Sequence, residues 1–260
     1  CEQHGLGTPK PLLDTILWHK LAASEHRHAL GFIGSVFTDV PAWKADHAGV
    51  TAKTDEELHT YCATDVAVTA RIVPFIKAQA AKREQSHLYP FDARVQDLCA
   101  GMRRMGVRVD EGRRFKHEQA ERVELAKWFR IIKDMFPNLN PRSNPQLRTI
   151  LFDQWMLPPH DYTETGEPTT GAAALRSYVA NPLLDDDQRD FINAIRFYRR
   201  SSKLLSTYLE PFSPHGGAVR DGFIYPDYNA HGTVTGRLSS SNPNFQNIPY
   251  KLRNIFIPPE

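Results

Sequence analysis

The order of residue patterns along the 260-residue chain predicts an α/β plus α protein: a mixed first third, a mainly helical middle and a β-rich end. Three observations carry this. Apolar residues recur at helical spacing behind capping signals at Thr54 and Ser143. Nineteen prolines divide the chain into many stiffly connected elements. After Pro214-His215-Gly216-Gly217 the helical period gives way to short alternating stretches. The length allows one large domain or two small ones.

The elements follow in order. An apolar stretch around Leu12 to Leu17 opens the chain, a helix follows, and Gly31 to Trp43 is a mixed segment ended by Pro41. Thr54 with Glu57 fits a capping box, in which the hydroxyl accepts an early free amide and the glutamate reaches back. Leu58, Tyr61, Cys62, Val66, Thr69 and Val73 continue that helix, and Pro74 is expected to bend or interrupt it. Val95, Leu98, Cys99, Met102 and Met105 form the next stripe, which Gly106 is placed to stop. Val107-Arg108-Val109 alternates like a short strand. A long helix is expected from Glu111 to Met135, with Phe115, Ala120, Val123, Phe129 and Ile132 inside. Ser143 with Gln146 caps a helix through Leu147, Ile150, Leu151 and Trp155, and Pro158 to Thr170 reads as a loop. A helix from about Asp187 to Tyr208 carries Phe191, Ile195, Tyr198, Ser202 and Leu205 on one stripe and Arg196, Arg199, Arg200 and Lys203 on another. Strands are expected at Phe223 to Tyr225 and Thr233 to Thr235, with a turn at Asn229 to Gly232.

Hydrophobic residues make up 41% and charged residues 24%, which excludes a wholly disordered chain. The net charge of +2 hides an uneven distribution: residues 93–148 carry 13 basic against 7 acidic side chains, and residues 149–175 carry none against 4. Such a basic middle suits either a polyanion or a solvated helical face. Cys1, Cys62 and Cys99 are far apart and form no disulfide or metal-ligand spacing. The longest apolar uncharged run, His28 to Thr38, is too short to span a membrane, and no signal peptide is visible. The eleven histidines include no metal-binding arrangement, and Trp128 and Trp155 read as core.

The most informative stretch is Thr233 to Pro249, Thr-Val-Thr-Gly-Arg-Leu-Ser-Ser-Ser-Asn-Pro-Asn-Phe-Gln-Asn-Ile-Pro. Taken as a pattern it is a polar loop beside a strand. It also resembles the signature that precedes the first catalytic carboxylate of family A DNA polymerases, the bacterial DNA polymerase I type. Further segments extend the resemblance. Phe197-Tyr198-Arg199-Arg200 with Lys203, Ser206, Thr207 and Tyr208 resembles the family's YR…K…STY helix. Asn144-Pro145-Gln146-Leu147 with Ile150-Leu151-Phe152 resembles its NPxQL…ILF segment, and Gly106 to Asp110 its GVxVD turn. Tyr61-Cys62-Ala63-Thr64-Asp65 resembles the YxxxD motif of the 3′–5′ proofreading exonuclease, and Asp14-Thr15 with Leu30 to Trp43 suggests the phage-like branch more weakly.

The resemblance implies the C-terminal part of a ribonuclease H-like 3′–5′ exonuclease domain at residues 1–83, the approach to the palm with a helical thumb at 84–205, and the start of the polymerase palm at 206–260. It implies template-directed DNA synthesis with proofreading, used in DNA replication. The implied partners are primer–template DNA and, in the whole enzyme, deoxynucleoside triphosphates, with Mg2+ at two-metal sites. A monomer in the cytoplasm of a bacterium or phage-infected cell, away from any membrane, is expected. Arg237 would donate to minor-groove acceptors at the primer end, positions that look nearly alike in every base pair and so report shape. Asn244, Gln246 and Asn247 would touch primer or template nearby. Arg199 and Lys203, one turn apart, would grip the duplex backbone, where contacts set register without reading sequence. Thr207 and Tyr208 would pack the end of that helix. Asp65 would help hold the divalent metals and Tyr61 would orient the attacking water.

By this resemblance the palm aspartates and the fingers helix would come after Glu260, and three of the four proofreading carboxylates before Cys1. The chain is therefore expected to be an interior fragment that alone neither extends nor degrades DNA. Mg-dependent extension of a primed template by the purified chain would refute this. Two other classes compete: a freestanding exonuclease, which would need its DxE pair ahead of Asp65, and a noncatalytic duplex-binding module.

Overall fold

The computed structural model describes residues 13–44, 54–182, 184–230 and 232–258. Cys1, Leu12 and Glu260 of the sequence reading lie outside them, as does His231 of the expected turn. The chain divides into two compact units, one of residues 1–105 with 226–246, the other of 106–225 with 247–260. These compact units divide the chain at positions other than 83/84 and 205/206. In the first unit the helix after residue 88 packs with the helices before it, and a hairpin within 226–246 packs on that same helix.

In the first unit, α1 (Thr15–Ala22) starts at Asp14, whose Oδ1 accepts the Ile16 and Leu17 amides at 2.8 and 3.2 Å. After α2 (Leu30–Phe37) comes α3 (Asp55–Lys82), where Thr54 Oγ1 accepts the Glu57 amide at 3.2 Å as expected. Pro74 does not interrupt α3. It and Ala70, whose carbonyl it leaves without an amide donor, both lie on the exposed side of the helix. Val68, Ile72 and Ile76 bury against Ile33, while Leu58 and Val66 of the expected stripe are exposed. Gly34 permits close packing here: a Cβ on it would lie 2.8 Å from the Trp43 ring. Next, α4 (Tyr89–Met105) buries only Cys99 of its stripe.

His19 of α1 is buried, with Nδ1 2.8 Å from His28 Nδ1. Burial, and then the neighbouring His28 and His26, hold its pKa down to about 4 from 6.5, against a small opposing pull from Glu25. Between those values the unfolded chain binds a proton that the folded chain refuses. Folding stability should therefore fall as pH drops from 6.5 towards 4, by up to about 3 kcal/mol. Urea unfolding across this range should show that loss, and His19→Gln should flatten it.

The hairpin of this unit joins β4 (Asp227–Asn229) to β5 (Ser239–Ser241), pairing Tyr228 with Ser240. Arg103 of α4 holds Asp227 at 2.8 Å. The strand expected at Thr233 to Thr235 is instead a turn, in which Thr233 Oγ1 donates to the Arg237 carbonyl at 2.7 Å and Gly236 has φ +75°.

The second unit opens with β1 (Val107–Val109) and α5 (Glu111–Met135). There follow α6 (Asn144–Arg148), a π-helical turn at Thr149–Gln154, α7 (Ala172–Val179) and α8 (Asp186–Leu204), which passes into a π-helical turn at Leu205–Leu209. β2 (Val219–Arg220), β3 (Phe223–Ile224) and β6 (Phe256–Ile257) complete an antiparallel sheet in the order β2-β3-β1-β6. The core gathers Ile132, Leu147, Leu151, Leu175, Tyr178, Phe191, Ile192 and Ile195, with Trp128 and Trp155 packed against it as expected. Of the apolar residues expected inside α5, Phe115, Val123 and Phe129 are exposed and only Ile132 is fully buried. Polar side chains occupy two further buried positions of α5, Arg114 and Glu121.

Gly106, between α4 and β1, has φ +68°, and a Cβ there would meet the Tyr225 ring at 2.7 Å and the Ile224 carbonyl at 3.1 Å. Gly106→Ala should cost about 1–3 kcal/mol. Urea denaturation of the variant should show the loss.

Candidate nucleic-acid interface and carboxylate cluster

In the first unit the structure brings Tyr61 and Asp65 together on α3, but through a third residue. Lys44 Nζ donates to Tyr61 Oη and to Asp65 Oδ2, each at 2.9 Å, and Trp43 Nε1 donates to Asp65 Oδ1 at 2.6 Å. Burial alone would raise the Asp65 carboxyl, but Lys44 and Trp43 outweigh it and hold it below its ordinary range. Burial likewise opposes the Lys44 charge, and Tyr61 and Asp65 more than offset it. Both Asp65 oxygens thus accept from protein donors, and one faces a protein cation. Among the described residues no three His, Cys, Asp or Glu side chains gather to hold a metal. The donor set does not fit the divalent ion expected at Asp65.

The loop between β4 and β5 presents Arg237 and the segment after β5 presents Asn244 and Gln246, all exposed. Its shape is fixed from within. Gln246 Nε2 donates to the Leu238 carbonyl at 2.8 Å, Asn244 Oδ1 accepts the Gln246 amide at 3.0 Å, and the Ser240 hydroxyl accepts the Phe245 amide at 3.2 Å. Gln246 therefore braces the backbone on which Arg237 stands.

In the second unit, Arg199 and Lys203 of α8 part company. The Arg199 guanidinium donates to the carbonyls of Pro141 at 2.8 Å and Thr170 at 2.9 Å, and to Asn144 Oδ1 at 3.1 Å. Among the described residues it has no carboxylate partner, and burial lowers its pKa. Loop carbonyls thus hold the Arg199 guanidinium. Lys203 is exposed and instead joins Arg200 of the same helix in a cleft of about 460 Å³, with Asn247, Tyr250 and Lys251 on the other wall. Tyr208 is buried at the end of α8 and donates to the Asn247 carbonyl at 2.9 Å, which ties the two walls; Thr207 is exposed.

Sequence reasoning missed Lys44 and Trp43, since nothing in their spacing ties them to α3. It also missed Tyr250 and Lys251 as partners of Lys203. Arg200 was visible as part of the basic stripe, but nothing in the stripe marks it rather than Arg199 as the one that lines the cleft.

The model of DNA polymerase family A matches residues 112–260, more than half of the chain. The chain is 38% identical over 175 residues to the thermostable DNA polymerase I of Thermus aquaticus, covering 63% of this chain and 20% of that protein. It is 31% identical over 217 residues to DNA polymerase I of Lactococcus lactis subsp. cremoris, covering 78% of this chain and 23% of that one. It thus spans about a fifth of these relatives. Among solved structures, the POL domain of Pol1 from M. smegmatis, in complex with DNA primer-template and dNTP, superposes with a TM-score of 0.76 at 21% identity. That likeness, which is one of fold, covers 95% of this chain and 41% of the other. Motifs, fold and family match agree, and the chain belongs to DNA polymerase family A.

Proposed function

We propose that this chain is the part of a template-directed DNA polymerase that grips primer–template DNA. Deoxynucleoside triphosphates are the substrate of the whole enzyme. The observation that carries this reading is the cleft where Arg200, Lys203 and Lys251 converge beside Asn247 and the exposed Tyr250, inside the family-matched region. Three cations lining one cleft suit a phosphate run, and phosphate contacts hold DNA of any sequence. Lys203 and Asn247 act there. In the first unit Arg237, braced by Asn244 and Gln246, reads the minor-groove edge of the primer's last pair. Residues 1–83 correspond to the end of the exonuclease domain, residues 84–205 to the approach to the palm and the thumb, and 206–260 to the start of the palm. With both Asp65 oxygens engaged by Trp43 and Lys44, no metal-dependent step is assigned to it.

Fluorescence anisotropy of the purified chain on a labelled primer–template should show binding whose logarithm falls linearly with log salt concentration. Lys203→Ala should lower that slope by about 0.9 without loss of fold. Absent binding, or binding indifferent to salt, would contradict the reading. In a full-length polymerase carrying this segment, Arg237→Ala should reduce extension from the primer terminus more than duplex affinity, and equal losses would argue against a minor-groove role.

A further inference from the structure

Glu121 is the one carboxylate in the fully buried set of the described residues, 4% exposed on α5. A buried carboxylate is costly unless it is paired and hydrogen-bonded. Its Oε1 accepts from Lys251 Nζ, and the buried Ser201 hydroxyl of α8 also donates to it. Burial pushes its carboxyl up, but Lys251, Ser201 and the charge of Arg200 outweigh that and keep it ionised below the ordinary range. Lys251 is different: its side chain remains 40% exposed and lines the cleft with Arg200 and Lys203. No acidic side chain lines that cleft. Among the described residues, the anion paired with its cations is thus Glu121, set behind Lys251 and 4% exposed.

A surface lysine on a flexible stem loses much rotamer freedom when it meets a phosphate. One whose ammonium is already tethered has lost part of that freedom in the free protein. The tether leaves two of its three N–H donors available to a phosphate. We propose that Glu121 is a positioning residue that holds Lys251 in the cleft, pre-organised for a phosphate oxygen of the primer–template. This rests on the DNA-gripping function proposed above.

The test is anisotropy of the 260-residue chain on the labelled primer–template, for Glu121→Ala, Lys251→Ala and the double variant. Glu121→Ala should weaken binding roughly threefold to tenfold. It should have no further effect in the Lys251→Ala background, because the lysine it positions is gone. Glu121→Gln, which keeps an acceptor, should fall between the wild type and Glu121→Ala. In both Glu121 variants acetic anhydride should acylate Lys251 faster than in the wild type, as read by mass spectrometry. Affinity unchanged or tighter in Glu121→Ala, or an equal loss in both backgrounds, overturns the positioning role. Should Glu121→Ala not fold, an unaltered Lys251 acylation rate in Glu121→Gln overturns it. A wild-type chain that fails to bind DNA overturns the underlying function and this inference together, whereas wild-type binding with an indifferent Glu121 overturns this inference alone.

Discussion

Arg114→Ala is expected to cost about 3–5 kcal/mol of folding stability, the largest loss of any single substitution considered for this chain. Arg114 is 2% exposed, inside α5, yet each of its guanidinium nitrogens donates to an oxygen. Nε and Nη2 meet the two Glu111 oxygens at 2.6 and 2.7 Å, and Nη1 bridges Glu118 at 2.5 Å and the Leu209 carbonyl at 2.7 Å. The last bond pins the π-helical turn after α8 to the first turns of α5. Alanine leaves that buried carbonyl without its donor and removes one of two cations serving Glu118, the other being Arg122 at 2.7 Å. Arg114→Lys keeps the charge but not the planar fork, so it should recover only part of the loss. The Glu118 carboxyl, which burial would raise, is held low by Arg114 and then Arg122. A depressed carboxyl contributes stability above its unfolded pKa and loses it as pH falls through its folded value. The gap between wild type and Arg114→Ala in urea unfolding should therefore be widest near neutrality and narrow as Glu118 protonates. A gap that stayed constant into acid would mean that the ion pair is not its source.

The ease with which the sequence can be read follows the range of the forces involved. Local signals were legible. Thr54 caps α3, Ser143 opens α6 by accepting the Gln146 amide at 3.4 Å, and Gly106 ends α4 where no side chain would fit. Burial was much less legible, because it depends on what a helix packs against. In α5 the apolar Phe115 and Val123 face out while Arg114 and Glu121 face in, since each charged group finds partners from distant parts of the chain, Leu209 for one and Lys251 for the other. The hairpin was misplaced for a related reason. Thr233 to Thr235 has strand-like residues, but Gly236 at positive φ turns the chain there, and Ser239 to Ser241 pairs with β4 although serine is a weak strand former. For the site, the motif pointed to the neighbourhood of Arg237 and Lys203. It had no means of pointing to Lys44 at Asp65, because that pairing bridges 21 positions of sequence.

Arg199 separates the two kinds of evidence most sharply. The motif makes it a partner of Lys203 on DNA, whereas its bonds make it a strut. It gathers the carbonyls of Pro141 and Thr170, both at buried residues, and Asn144 Oδ1, which also accepts from Thr170 Oγ1 at 2.9 Å. Through one side chain, α8 thereby fixes the start of α6 and the end of the loop before α7. Arg199→Ala removes the donor from two buried carbonyls, at about 1–3 kcal/mol for each group left unpaired, so a loss of about 2–4 kcal/mol is expected. Lysine offers no planar fork to span three acceptors, and Arg199→Lys should recover little. Lys203→Ala should behave in the opposite way: fold stability within about 0.5 kcal/mol of wild type, but weaker DNA binding and a shallower salt slope. Urea unfolding and salt-dependent anisotropy on the same pair of variants decide the matter. If Arg199→Ala kept its stability and lost about one unit of salt slope, Arg199 would be a phosphate ligand and the strut would be wrong; a stability loss with the slope intact would leave the grip to Lys203, Arg200 and Lys251.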